Sequence, residues 1–404
     1  MKLTLPKILF VIIIFSQSYF AQAIIIDHNC TNIKAIPESA ILKAKQNLHI
    51  AYGHTSHGSQ ITTGMNGLVE FANNGGLGLT LKKDIFKWNN GGSNEALDLE
   101  EGDGYGSGWL DHDCGYYPNW VNETREYLND SSHSDVNVII WSWCGQVSGR
   151  SEQDMIDKYL SPMSQLEADY PNVKFVYMTG HSDGSGESGN LHLRNKQIRD
   201  YCIANNKILY DFYDIECYDP DGNYYGNKNV KDNCDYDSNG DGSQDANWAK
   251  DWQNSHTEGV DWYNCSSAHS QPLNANRKAY AAWWLWAELA GWNGITTIEK
   301  NNSLKTKFDL LQNYPNPFNP TTTIKYTIPT PLNSPFAKGG NTGESVTLKV
   351  YNILGKVVTT LVNKQQSAGT YQVIFDAKNL PSGTYFYRLK AGNFSKTKQM
   401  ILIK

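Results

Sequence analysis

The chain has 404 residues and a formal net charge of -6, with 35 Lys and Arg against 41 Asp and Glu. That length allows one large and one small domain, each with its own core, and the acidic balance excludes the concentrated basic face that a nucleic-acid partner needs. Aromatic residues make up 12%, with 12 Trp and 24 Tyr; they crowd the part before Trp292, which suits stacking on sugar faces as well as it suits a Tyr-rich core.

The first residues carry Lys2 and Lys7, an apolar run from Ile8 to Phe15, and Ala21-Gln22-Ala23 in the small-x-small form that signal peptidase cuts. Residues 1–23 therefore read as a secretory signal peptide. The run is too short for a bilayer, which takes about 20 apolar residues. No later stretch reaches that length, so the mature protein is expected to be exported, with no transmembrane segment.

Residues 24–293 read as one α/β domain, and between Leu48 and Trp292 strand-like and helix-like stretches alternate. "LHIAY" precedes a helix with Ile61, Met65, Leu68, Val69 and Ala72 on one face; "VNVIIWSW" precedes a helix with Met155, Ile156, Tyr159 and Leu160. "VKFVYMT" leads to "LHLRNKQIRDYCIANN", then "ILYDFYDI", and "NANRKAYAAWWLWAELAG" closes the region as a helix buried on more than one side. Apolar strands joined by helices predict a three-layer α/β fold, a flavodoxin-like parallel sheet covered on both faces.

In such sheets ligands bind beyond the carboxyl ends of the strands. The residues there are polar: Gly53-His54-Thr55-Ser56-His57-Gly58, Cys144-Gly145-Gln146, Gly180-His181-Ser182-Asp183, and His269 in "CSSAHSQPLN" before the last helix. Ser56 stands where unpaired backbone N–H groups and a helix dipole favour negative charge, although a serine there also serves as a plain helix cap. A serine nucleophile needs an imidazole base. His269, on the same edge, is the candidate, expected at about 3 Å from Ser56 Oγ; it also reads as an ordinary hydrogen-bonded histidine.

Over residues 45–292 these blocks resemble the SGNH (GDSL-like) hydrolase superfamily. Ser56 in "GHTSHG" matches its first block and His269 the histidine of its last. The resemblance implies Ser56 as nucleophile, His269 as base, and oxyanion donors from later loops, with Gln146 standing where the family has asparagine and Gly91 or Gly92 where it has glycine. Two departures stand out: Ser266 replaces the Asp three residues before the histidine, and "CGQVSG" replaces Gly-x-Asn-Asp. The implied function is a secreted serine esterase removing acyl, notably acetyl, groups from extracellular polysaccharide, with no cofactor in catalysis. The alternatives are a non-catalytic surface glycan-binding protein on the same scaffold and a metal-dependent hydrolase.

For a metal, His54 with His57, the Asp111-His112-Asp113 triplet, His181 with Asp183, and His256 offer ligands, but no HExxH or matched set occurs. "DYDSNGDGSQDANW" places Asp237, Asn239, Asp241, Ser243 and Asp245 at alternate positions of an EF-type calcium loop, with Gly242 at the sharp turn and Trp248 where the bidentate Glu belongs. Structural Ca2+ and an Asp/Asn-rich turn both fit. The seven cysteines, Cys30, Cys114, Cys144, Cys202, Cys217, Cys234 and Cys265, allow three disulfides and one spare thiol in an exported protein.

Residues 294–307 read as a linker. After it Cys disappears, Pro and Asn cluster, and period-two runs such as Val346, Leu348 and Val350, then "TYQVIFDA", "TYFYRLKAG" and "KQMILIK", predict a small all-β sandwich over 308–404. "NYPNPFNPTT", "VYNILGKVV", "LPSGTYFYRL" and the basic terminus closely resemble the type A sorting domain of the type IX secretion system, with a flexible insert at 331–345. That resemblance implies passage through the periplasm and across the outer membrane, with the secretion machinery as partner.

Overall fold

In the computed structural model, residues 23–102, 110–294, 309–313, 315–328, 344–366, 369–392 and 394–404 are described. Of the stretches read as signal peptide, linker and insert, residues 1–22, 295–307 and 331–343 lie outside them. The chain divides into two compact units after Gly294.

In the first unit the chain runs through β1 (Ile24–Ile26), α1 (Glu38–Asn47), β2 (His49–Gly53), α2 (Ser59–Asn73), β3 (Trp88–Asn89), β4 (Leu97–Glu101) and α3 (Asn119–Asn129). It continues through β5 (Val138–Trp141), α4 (Glu152–Met155), α5 (Ser161–Asp169), β6 (Lys174–Met178), α6 (Asn190–Ala204), β7 (Ile208–Tyr210) and α7 (Phe212–Glu216). A two-stranded hairpin, β8 (Asp235–Tyr236) and β9 (Ala246–Asn247), precedes α8 (Trp248–Ser255) and the long α9 (Pro272–Leu289). The main sheet has the order β1-β7-β6-β5-β2-β4-β3 and every neighbouring pair is parallel.

Side-chain alternation divides the core between the two faces of this sheet. Ile50, Tyr52, Ile140, Val176 and Met178 point into one apolar cluster with Ile41 of α1, Ile61, Met65 and Leu68 of α2, and Trp283 and Trp286 of α9. Ala51, Ile139, Trp141, Phe175 and Tyr177 point into the other, with Trp120 of α3, Met155, Leu166 of α5 and Ile198 of α6. This is the three-layer arrangement read from the apolar runs. Helix α9 is buried along nearly all its length, and Gly64 lets α2 lie against it: a Cβ there would sit 2.2 Å from the Ala275 carbonyl oxygen.

The order places a switch point between β2 and β5. From β2 the chain goes out to the edge strand β3 and returns inward to β4, then crosses β2 to β5 and continues the other way. The loops leaving β2 and β5 therefore diverge and open a crevice at the carboxyl edge. They are the loops of Ser56 and of Cys144.

The second unit is an antiparallel sandwich with its own core. One sheet joins β10 (Asp309–Leu310), β11 (Thr321–Ile328) and β14 (Gly369–Asp376); the other has the order β13 (Val357–Gln366), β12 (Glu344–Asn352), β15 (Gly383–Ala391), β16 (Phe394–Leu402). Val346, Leu348 and Val350 are fully buried, together with Ile324, Tyr326, Tyr387 and Leu389, as the period-two pattern requires.

The cysteines depart from expectation. All seven are free thiols: Cys30 and Cys265 belong to one apolar cluster, while Cys114, Cys202, Cys217 and Cys234 line the other. Several sulfurs have separate polar neighbours, Cys114 donating to the Ser142 carbonyl at 2.8 Å and Cys234 lying 3.6 Å from Ser270 Oγ. They serve as small buried apolar side chains, and only Cys144 stands at the switch-point crevice.

Candidate functional site

Strand β2 ends at Gly53, where a Cβ would enter the Trp141 ring at 2.3 Å, so β2 and β5 approach closely just before they part. The chain then turns through His54 to Gly58 into α2. His54 is buried and structural: Nε2 bonds Glu101 Oε2 at the end of β4 at 3.1 Å, and Nδ1 contacts the Thr55 carbonyl. Thr55 Oγ1 donates to the buried Asp113 carboxylate at 2.6 Å, which fixes the turn to the 111–118 loop. Ser56 and His57 are thereby presented toward the loop after β5.

There the two loops meet. His57 Nδ1 lies 3.2 Å from Cys144 Sγ, and His57 Nε2 lies 3.0 Å from Asp232 Oδ2. One imidazole thus bridges a thiol and a carboxylate, the geometry of a base oriented by an acid and placed against a nucleophile. Ser56 Oγ is 3.6 Å from the same sulfur. Cys144 is half-buried, while the His57 ring is 6% exposed and shielded from bulk water.

The electrostatics follow the contacts. The His57 hydrogen bond lowers the Cys144 thiol pKa from 9.0 to about 7, overcoming partial burial, and Ser56 assists. Burial opposes charge on His57, yet the bonds to Asp232 and Cys144 together outweigh it and raise the imidazole to about 9. Burial likewise works against the Asp232 carboxylate, but the His57 bond holds it below its ordinary value. Between about pH 7 and about 9 the arrangement is a thiolate beside an imidazolium.

Two further rings enclose His57. His181 stacks on one face with centroids 3.8 Å apart and planes 2° apart, and His269 stacks on the other at 4.4 Å and 14°. His181 Nδ1 is 2.8 Å from the Ser182 carbonyl, and its buried Nε2 has no partner among the described residues. Burial and the neighbouring His57 charge lower the His181 pKa, so the middle ring carries the proton. His269 is exposed and held at φ +61°, the left-handed region, a conformation that costs of order 1–3 kcal/mol and is concentrated at functional sites.

The residues read from the sequence fall as follows. Ser56 and His269 lie at the same edge and within one cluster, but among the described residues no hydrogen bond joins them; Cys144 and His57 stand between. Gln146 is beside them with its carbonyl accepting from the Cys144 N–H at 3.1 Å. The Gly91 N–H is turned to Asp98. Asp183 accepts from Ser185, His112 pairs with Glu123, and His256 stacks on Trp252, each in a local contact of its own.

His57, His181 and Asp232 offer ligand atoms within 4.8 Å of one another. Because the two rings are parallel, their lone pairs run side by side, whereas tetrahedral ligation requires them to converge. In the 237–245 loop, Asp237 accepts from the N–H groups of Asn239, Gly240 and Gly242, Asp241 from Ser243, and Asp245 from Ser238. Trp248, at the twelfth position, is buried and contributes no ligand.

A family model of the secretion system C-terminal sorting domain matches residues 312–404. That segment is the type IX sorting domain, and the protein is exported to the cell surface or secreted. No helix among the described residues is long and apolar enough to cross a membrane. No curated protein matches the chain. Among solved structures, the sensor domain of the anti-sigma factor RsgI4 in Pseudobacteroides cellulosolvens is similar at 13% identity, covering 24% of this chain and 74% of that one, with a TM-score of 0.19. PorZ of the type-IX secretion system of Porphyromonas gingivalis is 17% identical over 25% of this chain and 12% of its own, with a TM-score of 0.16. An endo-beta-1,4-mannanase from Thermotoga petrophila is 11% identical over 88% of this chain and 64% of its own, with a TM-score of 0.21. At scores this low the likenesses carry no argument.

Proposed function

We propose that the α/β unit is an exported acyl-transfer hydrolase whose nucleophile is the Cys144 thiolate, with His57 as acid and base and Asp232 orienting it. The carrying observation is the unbroken chain from Cys144 Sγ to His57 to Asp232 at 3.2 and 3.0 Å. The thiolate attacks an ester carbonyl, and the oxyanion forms beside the start of α2, where the Ser56 and His57 N–H groups have no acceptor among the described residues. The His57 imidazolium gives its proton to the departing alcohol, leaving an acyl-thioenzyme. Neutral His57 then takes a proton from water as the hydroxide adds to the thioester, the carboxylic acid leaves, and thiolate and imidazolium are restored. Acylated extracellular polysaccharide is the substrate class that the export signal and the SGNH resemblance favour.

Ser56 on this reading is a hydrogen-bond donor to the thiolate. In the competing serine version it is the nucleophile and His269 its base. Cys144→Ala should abolish ester hydrolysis and thioester trapping, whereas Ser56→Ala should leave turnover reduced by about ten- to a hundredfold, one charge-assisted hydrogen bond. Fluorophosphonate labelling of Ser56 in the Cys144→Ala protein would transfer the reading to the serine, and loss of turnover on chelation would transfer it to a metal at His57, His181 and Asp232. Loop 237–245 enters as a structural calcium site, supported by the Gly242 N–H bond that folds the turn around Asp237. A chelator should then lower the melting temperature; no shift would leave a turn satisfied by its own amides.

A further inference from the structure

Beneath the crevice lies a charged pair that the proposed chemistry does not use. Lys278 of α9 is fully buried, and its Nζ donates to Glu216 of α7 at 2.5 Å and to Gln60 of α2, while lying 3.5 Å from the centre of the Phe212 ring. Desolvating such a pair is expensive unless further hydrogen bonds satisfy it. Here those bonds lead to the loops that carry His57, His181, His269 and Asp232. The Glu216 carboxylate accepts from both the N–H and the Oγ of Ser182, at 2.8 and 3.0 Å, and Ser182 follows His181. Gln60 Nε2 donates to the Ala268 carbonyl at 2.5 Å, one residue before His269, and Gln60 itself is three residues after His57. Asn274 donates to Glu216 at 3.3 Å and to Ser270 Oγ at 2.8 Å, and Ser270 donates to the Asp232 carbonyl at 2.6 Å.

We infer that Lys278 and Glu216 are positioning residues, a buried ion pair from which Gln60, Ser182, Asn274 and Ser270 hold the His57, His181, His269 and Asp232 segments in one register. Neither touches Cys144, and their effect passes through His57. The ring stack and the His57–Asp232 bond depend on four segments distant in sequence, and the pair is where their anchors converge. The consequence for catalysis rests on the thiolate reading; the positioning of His57 does not.

The test uses the mature full chain, with histidines isotopically labelled, and two near-isosteric changes: Ser270→Ala, which cuts the link to Asp232, and the neutral double variant Lys278→Met with Glu216→Gln. Two midpoints are read, Cys144 alkylation by iodoacetamide against pH and the His57 ring titration by NMR, with circular dichroism to confirm folding. In both variants we expect the Cys144 midpoint to rise by about one pH unit, which lowers alkylation at pH 7 about fivefold, and the His57 midpoint to fall toward about 6.5. Ser270→Thr, which keeps the hydroxyl, should restore both. Folded variants with wild-type His57 midpoints would overturn the inference, because a purely structural pair lowers stability without moving them; if the double variant does not fold, Ser270→Ala decides alone. An ordinary thiol midpoint in the wild type would instead defeat the thiolate reading, and the His57 titration would still judge the positioning.

Discussion

Cys144 is competent on the proposed mechanism only while it is ionised and His57 still holds its proton. Below about pH 7 the thiol is protonated, and above about 9 the imidazolium is lost. Hydrolysis should therefore follow a bell with limbs near those values, which belong to the coupled pair, whereas alkylation should rise through the first limb and stay high, because the thiolate persists. Asp232, His181, His269, Ser56 and Glu216 are the groups that face or influence the pair. Replacing Asp232 with Asn should lower the His57 midpoint, raise that of Cys144 and reduce kcat/KM by about 10²–10⁴, the usual scale of acid–base assistance. Ellman's reagent at pH 7.5 should find one fast thiol: burial pushes Cys30, Cys234 and Cys265 up to about 12. The edge of the sheet was legible in "GHTSHG" and "AHSQPLN", but the partner of His57 was not. An exported cysteine suggests a disulfide until the fold separates it from the others, and Asp232 sits in a loop with no periodicity to mark it.

At the scale of elements, apolar runs made β2, β5, β6 and β7 readable, and the helical periodicity of α2 matched its buried face of Ile61, Met65, Leu68 and Ala72. Strand β4, "LDLEE", was missed because its alternate residues are acidic. Leu97 and Leu99 enter the core, while Asp98 takes up His49 Nδ1 at 2.7 Å and Glu100 accepts from Tyr127 at 2.6 Å, so the strand is amphipathic with paired carboxylates. The two-residue β3 has too little pattern to be seen. The α2–α9 contact gives a direct test: Gly64→Val should push against the Ala275 carbonyl and destabilise the unit by about 1–3 kcal/mol, read as a lower urea midpoint. Since α2 also carries Gln60 and begins beside His57, the same change should slow Cys144 alkylation at neutral pH.

For the whole molecule, each of the two units has a core of its own, and every residue assigned to the site belongs to the first. A protein ending at Gly294 should keep the Cys144 alkylation midpoint and ester turnover of the full chain; loss of either would show that the sandwich contributes to the site. The sandwich was legible through its alternating strands and turn residues, which are local signals, whereas Glu344 and Ser345, read as the end of the insert, already belong to β12. The convergence of the 54–58, 144–146, 181–183 and 268–270 segments was legible only as a shared edge, and that of Asp232 not at all, since contacts between segments far apart in sequence leave no local pattern.

The pairing of β1 with β7 bears on the order of events in time. Ile24, Ile25 and Ile26 lie against Ile208, Leu209 and Tyr210, so the first strand of the unit must wait for a partner made long after it. Helix α9, the last element, packs on both α1 and α2 near the start. A partly synthesised chain can neither complete its sheet nor cover that face, and contacts of such long sequence separation form slowly. The topology therefore leaves both the sheet and the face beneath α9 incomplete until nearly the whole unit has been made.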